Sequence, residues 1–238
     1  MTTDELLVQQ STAFVEYLEA WSRTLRPFSL QDEVQQPERA AVFSADMVVG
    51  FCRQGNLASP RIAGLIPSVV DLFQRAHAHG IRHFVLVQDT HNQDAPEFHS
   101  FPPHCIRGTA ESQTIPELQS LPFSSEFTVV EKNSLHPSIG TGLEQWLEQY
   151  PELCDLMVVG DCTDLCTYSL AMHLRLRANA YGLKEQRVVV PANAVDTYDM
   201  PIDTAREVGA MAHPGDLFHR LFLYHMALNG VQVVRAIT

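Results

Sequence analysis

The fold is decided by the segment Leu156-Met157-Val158-Val159-Gly160-Asp161-Cys162-Thr163-Asp164-Leu165-Cys166. Its first four residues are all apolar, so a strand here would be covered on both faces, which is typical of a parallel sheet between helices. Polar residues follow Gly160, and a helical pattern runs over 165–181. The segment therefore predicts a buried strand, a polar turn and a crossover helix.

The same alternation of short apolar segments and helical segments extends along most of the chain. It predicts strands over 41–49, 83–88, 127–131, 156–160, 187–190 and 231–237, and helices over 62–79, 143–150, 165–181 and 217–228. A repeat of this kind builds parallel sheets with helices on both faces. We therefore predict an α/β fold, a doubly wound and mostly parallel sheet flanked by helices.

The N-terminal segment has its own pattern. Apolar residues recur at helical spacing before Pro37, among them Phe14, Leu18 and Trp21, which predicts an amphipathic helix lying on the main domain. No linker or repeat divides the remainder of the chain. The predicted organisation is a helical extension over 1–37 and one domain over 38–238.

Composition excludes several classes of protein. The chain has 238 residues, 45% of them hydrophobic, which is enough to bury a core. With 28 acidic and 16 basic side chains, nucleic acid and anionic membrane are unfavoured partners. No apolar run approaches the roughly 18 residues of a membrane span, and the polar start is not a secretory signal. We expect a cytoplasmic protein whose five cysteines are reduced.

Chemically reactive side chains follow the predicted strands. Asp46 follows the first strand, Asp89 and His91 the second, Lys132 the third, and the segment from Asp161 to Cys166 the fourth. Ligands bind at the carboxyl ends of the strands in open parallel sheets. Each of these residues could alternatively be a solvated strand end, but their coincidence at four strands favours a site.

Cys166 is the candidate nucleophile. It lies where a helix begins, and amides at a helix N-terminus lower the pKa of a thiol. A thiol nucleophile needs a proton acceptor, and the neighbouring strand ends supply Asp46 and Lys132. Alternatively, Cys166 is a buried structural cysteine, and Asp46 and Lys132 form a plain ion pair.

The second strand end has the composition of a metal site. Asp89 and His91 lie two residues apart, and Glu97, His99 and His104 follow in one loop. Mixed carboxylate and imidazole ligands suit a divalent ion such as Zn, Fe or Mn. The other histidines are interpreted as surface residues, namely His77, His79, His83, His136, His173, His213, His219 and His225.

Together these residues resemble the nicotinamidase branch of the isochorismatase-like cysteine hydrolases. The resemblance covers about 42–234 and lies in five places: Asp46 with Phe51; Asp89-Thr90-His91; Phe101-Pro102-Pro103-His104-Cys105-Ile106-Arg107-Gly108-Thr109; Glu131-Lys132; and Gly160-Asp161-Cys162-Thr163-Asp164-Leu165-Cys166. The extension and the C-terminal part look most similar to the plant-type nicotinamidases.

The resemblance implies hydrolysis of nicotinamide to nicotinic acid and ammonia through a thioester, in NAD salvage. It implies that Cys166 is the nucleophile, Asp46 the general base and then acid, and Lys132 the cation beside them. It further implies an oxyanion hole formed by the amides of Cys162 and Cys166, with a non-proline cis peptide before Cys162.

The resemblance also implies a metal cofactor, most simply zinc, with iron or manganese as alternatives. The implied ligands are Asp89, His91 and His104, with Glu97 or His99 as a further ligand. In the family the metal binds the pyridine nitrogen, and Phe51 and Phe101 lie where aromatic walls hold the ring.

The expected partners are nicotinamide and, in a homo-oligomer, further copies of the chain. The alternative functions are hydrolysis of another small amide, such as a carbamoyl or ureido compound, and an inactive relative that binds a ligand. The presence of Asp46, Lys132 and Cys166 together argues against the inactive relative.

Overall fold

The computed structural model describes residues 3–238. Its strands form one seven-stranded sheet and are β1 (Ala40–Ala45), β2 (His83–Asp89), β3 (Phe127–Lys132), β4 (Asp155–Asp161), β5 (Arg187–Pro191), β6 (Val195–Asp196) and β7 (Gln232–Val234). The strand order is β3-β2-β1-β4-β5-β7, β6 pairs with β4, and these pairings are parallel. The predicted fold class is confirmed.

Helices connect the strands and cover the sheet. Within residues 3–238 they are α1 (Thr3–Thr24), α2 (Leu30–Glu33), α3 (Val49–Cys52), α4 (Pro60–Ala63), α5 (Ile66–His79), α6 (Pro116–Gln119), α7 (Leu143–Gln149), α8 (Cys166–Ala180), α9 (Ile202–Val208) and α10 (Gly215–Leu228). None of these helices combines the length and the apolar character that crossing a bilayer requires.

Two predicted elements differ from the observed ones for identifiable reasons. The strand predicted over 41–49 ends at Ala45, because Asp46 adopts a left-handed backbone conformation (φ 53°) that ends the extended chain. The helix predicted over 62–79 is divided into α4 and α5 around Gly64. Pro67, which the sequence places inside the predicted helix, lies in the first turn of α5, where its missing N–H is tolerated.

The core consists of two apolar layers, one on each face of the sheet. On one face, Val69, Leu72 and Phe73 of α5 are buried among side chains of the strands. The opposite layer includes Trp146 of α7 and Leu170 of α8. Because apolar side chains cover both faces, polar side chains of the sheet are found at its carboxyl edge, where Asp89 and Lys132 are buried at the ends of their strands.

The N-terminal segment divides into two parts. Tyr17 and Trp21 of α1 pack edge-on against Tyr224 of α10. Phe28 and Val34, by contrast, are buried in the main core. The predicted extension over 1–37 begins with two residues outside the described range; we propose that its separable part is confined to α1.

Gly160 is required where β4 passes β1, and its substitution gives a first prediction. Gly160 has φ +106°, and a Cβ atom there would lie 2.0 Å from the Ala45 carbonyl oxygen. We expect Gly160→Ala to reduce the free energy of unfolding by about 3 kcal/mol or more in a urea titration. Gly182→Ala is the matched control: its φ is +67° and its Cβ would meet nothing within 4 Å, so only the backbone cost of about 1–2 kcal/mol applies. Equal losses would contradict the steric explanation.

Candidate active site

Four neighbouring strands bring their last residues together at the carboxyl edge of the sheet. Asp46 directly follows β1, Asp89 and Lys132 end β2 and β3, and Asp161 ends β4. Cys166 is the first residue of α8, the helix that follows β4. The parallel arrangement predicted from the sequence therefore explains why residues 120 positions apart lie in one place.

Lys132 lies at the centre of this group. Its Nζ is 2.9 Å from Asp46 Oδ2, is hydrogen-bonded to Asp89 Oδ1, and lies 3.3 Å from Cys166 Sγ. The side chains of all four residues are buried. One buried ammonium is thus shared between two carboxylates and a thiol.

The backbone of Asp46 directs its carboxylate toward this ammonium. Its amide donates to the Val87 carbonyl oxygen (2.9 Å), and its Oδ1 accepts a hydrogen bond from the Asp89 amide (2.6 Å). Aspartate tolerates the left-handed conformation better than most residues. The two strand ends β1 and β2 are therefore tied together through the Asp46 side chain.

Burial and the neighbouring charges set opposite pKa shifts on the two carboxyl groups. Burial, and then the charge of Asp89, raise the pKa of Asp46 to about 6. Burial also acts to raise the pKa of Asp89, but the charge of Lys132 and the adjacent imidazoles of His104 and His91 hold it below its ordinary value. Asp46 is consequently the carboxyl group that can exchange a proton near neutral pH.

The Cys166 thiol differs from the sequence-based expectation. Burial, followed by the charge of Asp46, raises its pKa well above the ordinary value, although Lys132 acts in the opposite direction. The prediction of a lowered pKa at the helix N-terminus was wrong because it left out desolvation, which disfavours a buried thiolate. The resting group is a neutral thiol beside a proton acceptor.

The turn before α8 presents backbone donors to the same place. A non-proline cis peptide joins Asp161 to Cys162, as the resemblance implied. The amides of Leu165 and Thr167 donate to the Cys162 carbonyl oxygen (3.0 and 3.1 Å). Within residues 3–238, the amides of Cys162 and Cys166 have no hydrogen-bond acceptor in the protein. Both amides are thus available to a bound oxygen atom.

Asp89, His91 and His104 form a second buried group. Each offers one ligand atom, and the three atoms lie within 4.8 Å of one another. His91 Nε2 is 3.4 Å from Asp89 Oδ1, and His104 Nε2 is 3.6 Å from Asp89 Oδ2. Both ring nitrogens of His91 are buried and find no hydrogen-bond partner among the described residues. One carboxylate and two imidazoles converging in this way fit a divalent metal ion.

The loop that carries His104 is fixed by its backbone. The His91 amide donates to the Cys105 carbonyl oxygen (3.0 Å), and the Arg107 amide donates to the His91 carbonyl oxygen (2.8 Å). His104 Nδ1 donates to the Pro102 carbonyl oxygen at 2.8 Å. That hydrogen bond fixes the tautomer and leaves Nε2 free to bind a metal.

Glu97 and His99, the two further candidate ligands, do not belong to this group of three converging ligand atoms. Glu97 lines the neighbouring cavity, and its Oε2 accepts a hydrogen bond from the Leu135 amide at 3.2 Å. His99 is exposed, and its Nδ1 lies 2.9 Å from the Pro96 carbonyl oxygen.

A cavity of about 810 Å³ connects the two groups. Asp46, Asp89, Asp161, His104, Cys162 and Cys166 are among its lining residues. Phe51 and Phe101 line it as well, with ring centroids 5.5 and 6.4 Å from the His104 ring. The cavity therefore has aromatic walls beside the His104 imidazole, and Cys166 lines the same cavity.

Sequence reasoning missed that the segment from Met200 to His213 forms a flap along one side of the cavity. Met200 and His213 exchange two backbone hydrogen bonds of 2.8 Å at its base, and Gly209 and Met211 line the cavity. The interpretation of His213 as a surface residue was wrong, since it is buried, with Nε2 2.7 Å from an Asp164 carboxylate oxygen. A histidine so far along the chain from its partner gives no signal in sequence spacing.

The comparisons with known proteins agree with this geometry. The isochorismatase domain model matches residues 40–234. Nicotinamidase 1 of Arabidopsis thaliana is 31% identical over 207 residues, which cover 81% of this chain and 84% of that protein.

Among solved structures, nicotinamidase PncA from Bacillus subtilis is 25% identical with a TM-score of 0.62 and covers 82% of this chain and 99% of its own. A pyrazinamidase of Pyrococcus horikoshii in complex with zinc shares the fold at 18% identity, with a TM-score of 0.63, covering 83% of this chain and 99% of that one. The relationship predicted from the sequence is confirmed, and the chain belongs to the isochorismatase family.

Proposed function

We propose that this protein is a metal-dependent cysteine amidohydrolase that converts nicotinamide to nicotinic acid and ammonia, a reaction of NAD salvage. The observation that carries the proposal is one cavity that takes lining residues from both a buried thiol–lysine–carboxylate group and a buried carboxylate–imidazole group. The first group supplies a nucleophile and a proton acceptor for amide hydrolysis. The second group supplies ligands for a metal ion, to which an aromatic nitrogen could bind. The homology to a plant nicotinamidase supports an enzyme that hydrolyses amide bonds.

Acylation begins with the neutral thiol of Cys166. Its sulfur attacks the carboxamide carbon while its proton passes to Asp46, whose pKa of about 6 suits a base near neutral pH. The amides of Cys162 and Cys166 donate to the oxyanion that forms. Asp46 then gives its proton to the amide nitrogen, the C–N bond breaks, and ammonia leaves a thioester on Cys166.

Deacylation uses the same residues. Asp46, again ionised, takes a proton from a water molecule as its oxygen attacks the thioester carbon. The C–S bond breaks, and Asp46 returns the proton to the departing sulfur, so nicotinic acid and the thiol are formed. Lys132 stays protonated throughout, because the charges of Asp46 and Asp89 outweigh its burial and raise its pKa well above the ordinary value.

Asp89, His91 and His104 would hold the metal. A divalent ion held there would act as a Lewis acid toward the lone pair of a ring nitrogen. The unpartnered ring nitrogens of His91 and the fixed tautomer of His104 support this assignment. The rings of Phe51 and Phe101 would pack against the pyridine faces and keep its carboxamide directed at Cys166.

The proposal also includes an expected location and an expected oligomeric state. A cytoplasmic location is supported by the five cysteines, which are all free. Association into a homo-oligomer is supported by exposed apolar side chains on α1, including Leu7 and Val8. Light scattering of the purified protein measures its oligomeric state.

The test is ammonia release from nicotinamide by the purified protein, supplied in turn with zinc, iron and manganese. We expect turnover with at least one metal and little after chelation. A carbamoyl and a ureido compound are the comparison substrates, since another small amide is the alternative function. Hydrolysis of those compounds without hydrolysis of nicotinamide would overturn the proposed substrate.

A further inference from the structure

Asp161 is a buried carboxyl group that the reaction described above does not use. It is the last residue of β4, its side chain is 1% exposed, and it lines the same cavity as Cys166. It is bonded directly to Cys162, whose amide is one of the two free donors. Asp161 is therefore next to the reacting centre in the chain and in space.

The protein itself provides almost no partner for this carboxyl group. Within residues 3–238, its Oδ1 is buried without a hydrogen bond, and Oδ2 is 3.7 Å from the weak thiol donor of Cys162. No cation of the described residues forms an ion pair with it, because Lys132 is already shared by Asp46 and Asp89. Buried polar groups are almost always hydrogen-bonded, so an unpartnered oxygen beside a cavity indicates a partner that enters the cavity.

The surroundings of Asp161 favour the protonated form of its carboxyl group. Burial, and then the charges of Asp46 and Asp89, raise its pKa well above the ordinary value. A protonated carboxyl group has one O–H donor and one carbonyl acceptor. Its best complement is an uncharged group that also donates and accepts, and a carboxamide is such a group.

We propose that Asp161 is a specificity-determining residue whose unpartnered carboxyl group hydrogen-bonds the carboxamide of the substrate. This inference rests on the proposed function, because it takes the carboxamide to be the reacting group at Cys166. An uncharged acid here selects an uncharged amide, whereas a carboxylate product meets the additional carboxyl groups of Asp46 and Asp89. The arrangement thus favours binding of the substrate over binding of the product.

Two substitutions separate this role from a structural one. Asp161→Asn keeps a donor and an acceptor and can never be charged, whereas Asp161→Leu keeps the branched shape at a larger volume and removes both. We expect Asp161→Leu to raise KM for nicotinamide about tenfold, the effect of one lost hydrogen bond, without lowering the thermal unfolding midpoint. We expect Asp161→Asn to remain within about threefold of wild-type KM.

Binding is measured separately from chemistry by calorimetry with nicotinamide in a Cys166→Ala background, where Asp161→Leu should weaken the Kd by a similar factor. An unchanged KM and Kd in the leucine variant would overturn the inference. So would an asparagine variant as impaired as the leucine variant, since a donor and an acceptor at this position would then not be what binds the carboxamide. If the leucine variant does not fold, Asp161→Ala replaces it with the same expectation.

The wild-type assay distinguishes failure of this inference from failure of the proposed function. If wild-type protein does not hydrolyse nicotinamide, the proposed function fails. The variants are then compared on whichever carbamoyl or ureido amide the wild type hydrolyses, with the same expected rise in KM. The role of Asp161 is thereby supported or overturned in either case.

Discussion

Replacing Cys166 by alanine is expected to lower kcat for nicotinamide hydrolysis at least about 10,000-fold, because no thioester can form without the sulfur atom. The remaining oxyanion donors and cavity would support only the slow direct attack of water. Single-turnover measurement of ammonia release provides the value, and circular dichroism checks the fold. Loss of one buried sulfur atom next to Lys132 should leave that fold intact.

Cys162→Ala is the matched control. Cys162 lies four residues earlier and lines the same cavity, but its proposed contribution is its backbone amide, which alanine retains. We expect the activity of this variant to remain within about tenfold of wild type. Full activity of Cys166→Ala, or an equal loss in both variants, would show that the nucleophile has been assigned to the wrong group.

The positions of Asp46, Asp89 and Lys132 could be predicted because they depend on simple rules. Uninterrupted apolar segments indicate a parallel sheet, and a parallel sheet collects its strand ends at one edge. Neither step needs knowledge of how side chains pack. The division of a helix into α4 and α5 depends instead on a local choice at Gly64, which periodicity does not reveal.

The electrostatics of the site could not be predicted in the same way. A helix N-terminus lowers a thiol pKa, whereas burial raises it, and only the packed structure shows that burial is stronger at Cys166. His213 illustrates the same limit. Its partner Asp164 lies far earlier in the chain, in the turn before α8, and sequence spacing does not reveal their contact. Sequence patterns locate reactive groups, but their protonation depends on solvent exclusion by distant parts of the chain.

Replacing His104 by alanine is expected to remove the bound metal and to lower kcat/KM for nicotinamide more than about 100-fold, since even indirect partners of metal ligands contribute 10–100-fold. Elemental analysis of the dialysed protein measures the metal, and ammonia release measures the activity. His99→Ala is the matched control: it removes an imidazole from the same loop, but an exposed one. That variant should retain both metal and activity.

His104 is a sharper test than Asp89 because the two residues differ in their other contacts. Asp89 also binds Lys132, so its loss would disturb the ammonium beside Cys166 as well as the metal. The other ring nitrogen of His104 contacts only the Pro102 carbonyl oxygen among the hydrogen bonds of the described residues. A His104→Ala protein that retains stoichiometric metal would therefore contradict the ligand set itself, whereas loss of metal with full activity would contradict the role of the metal in holding the ring.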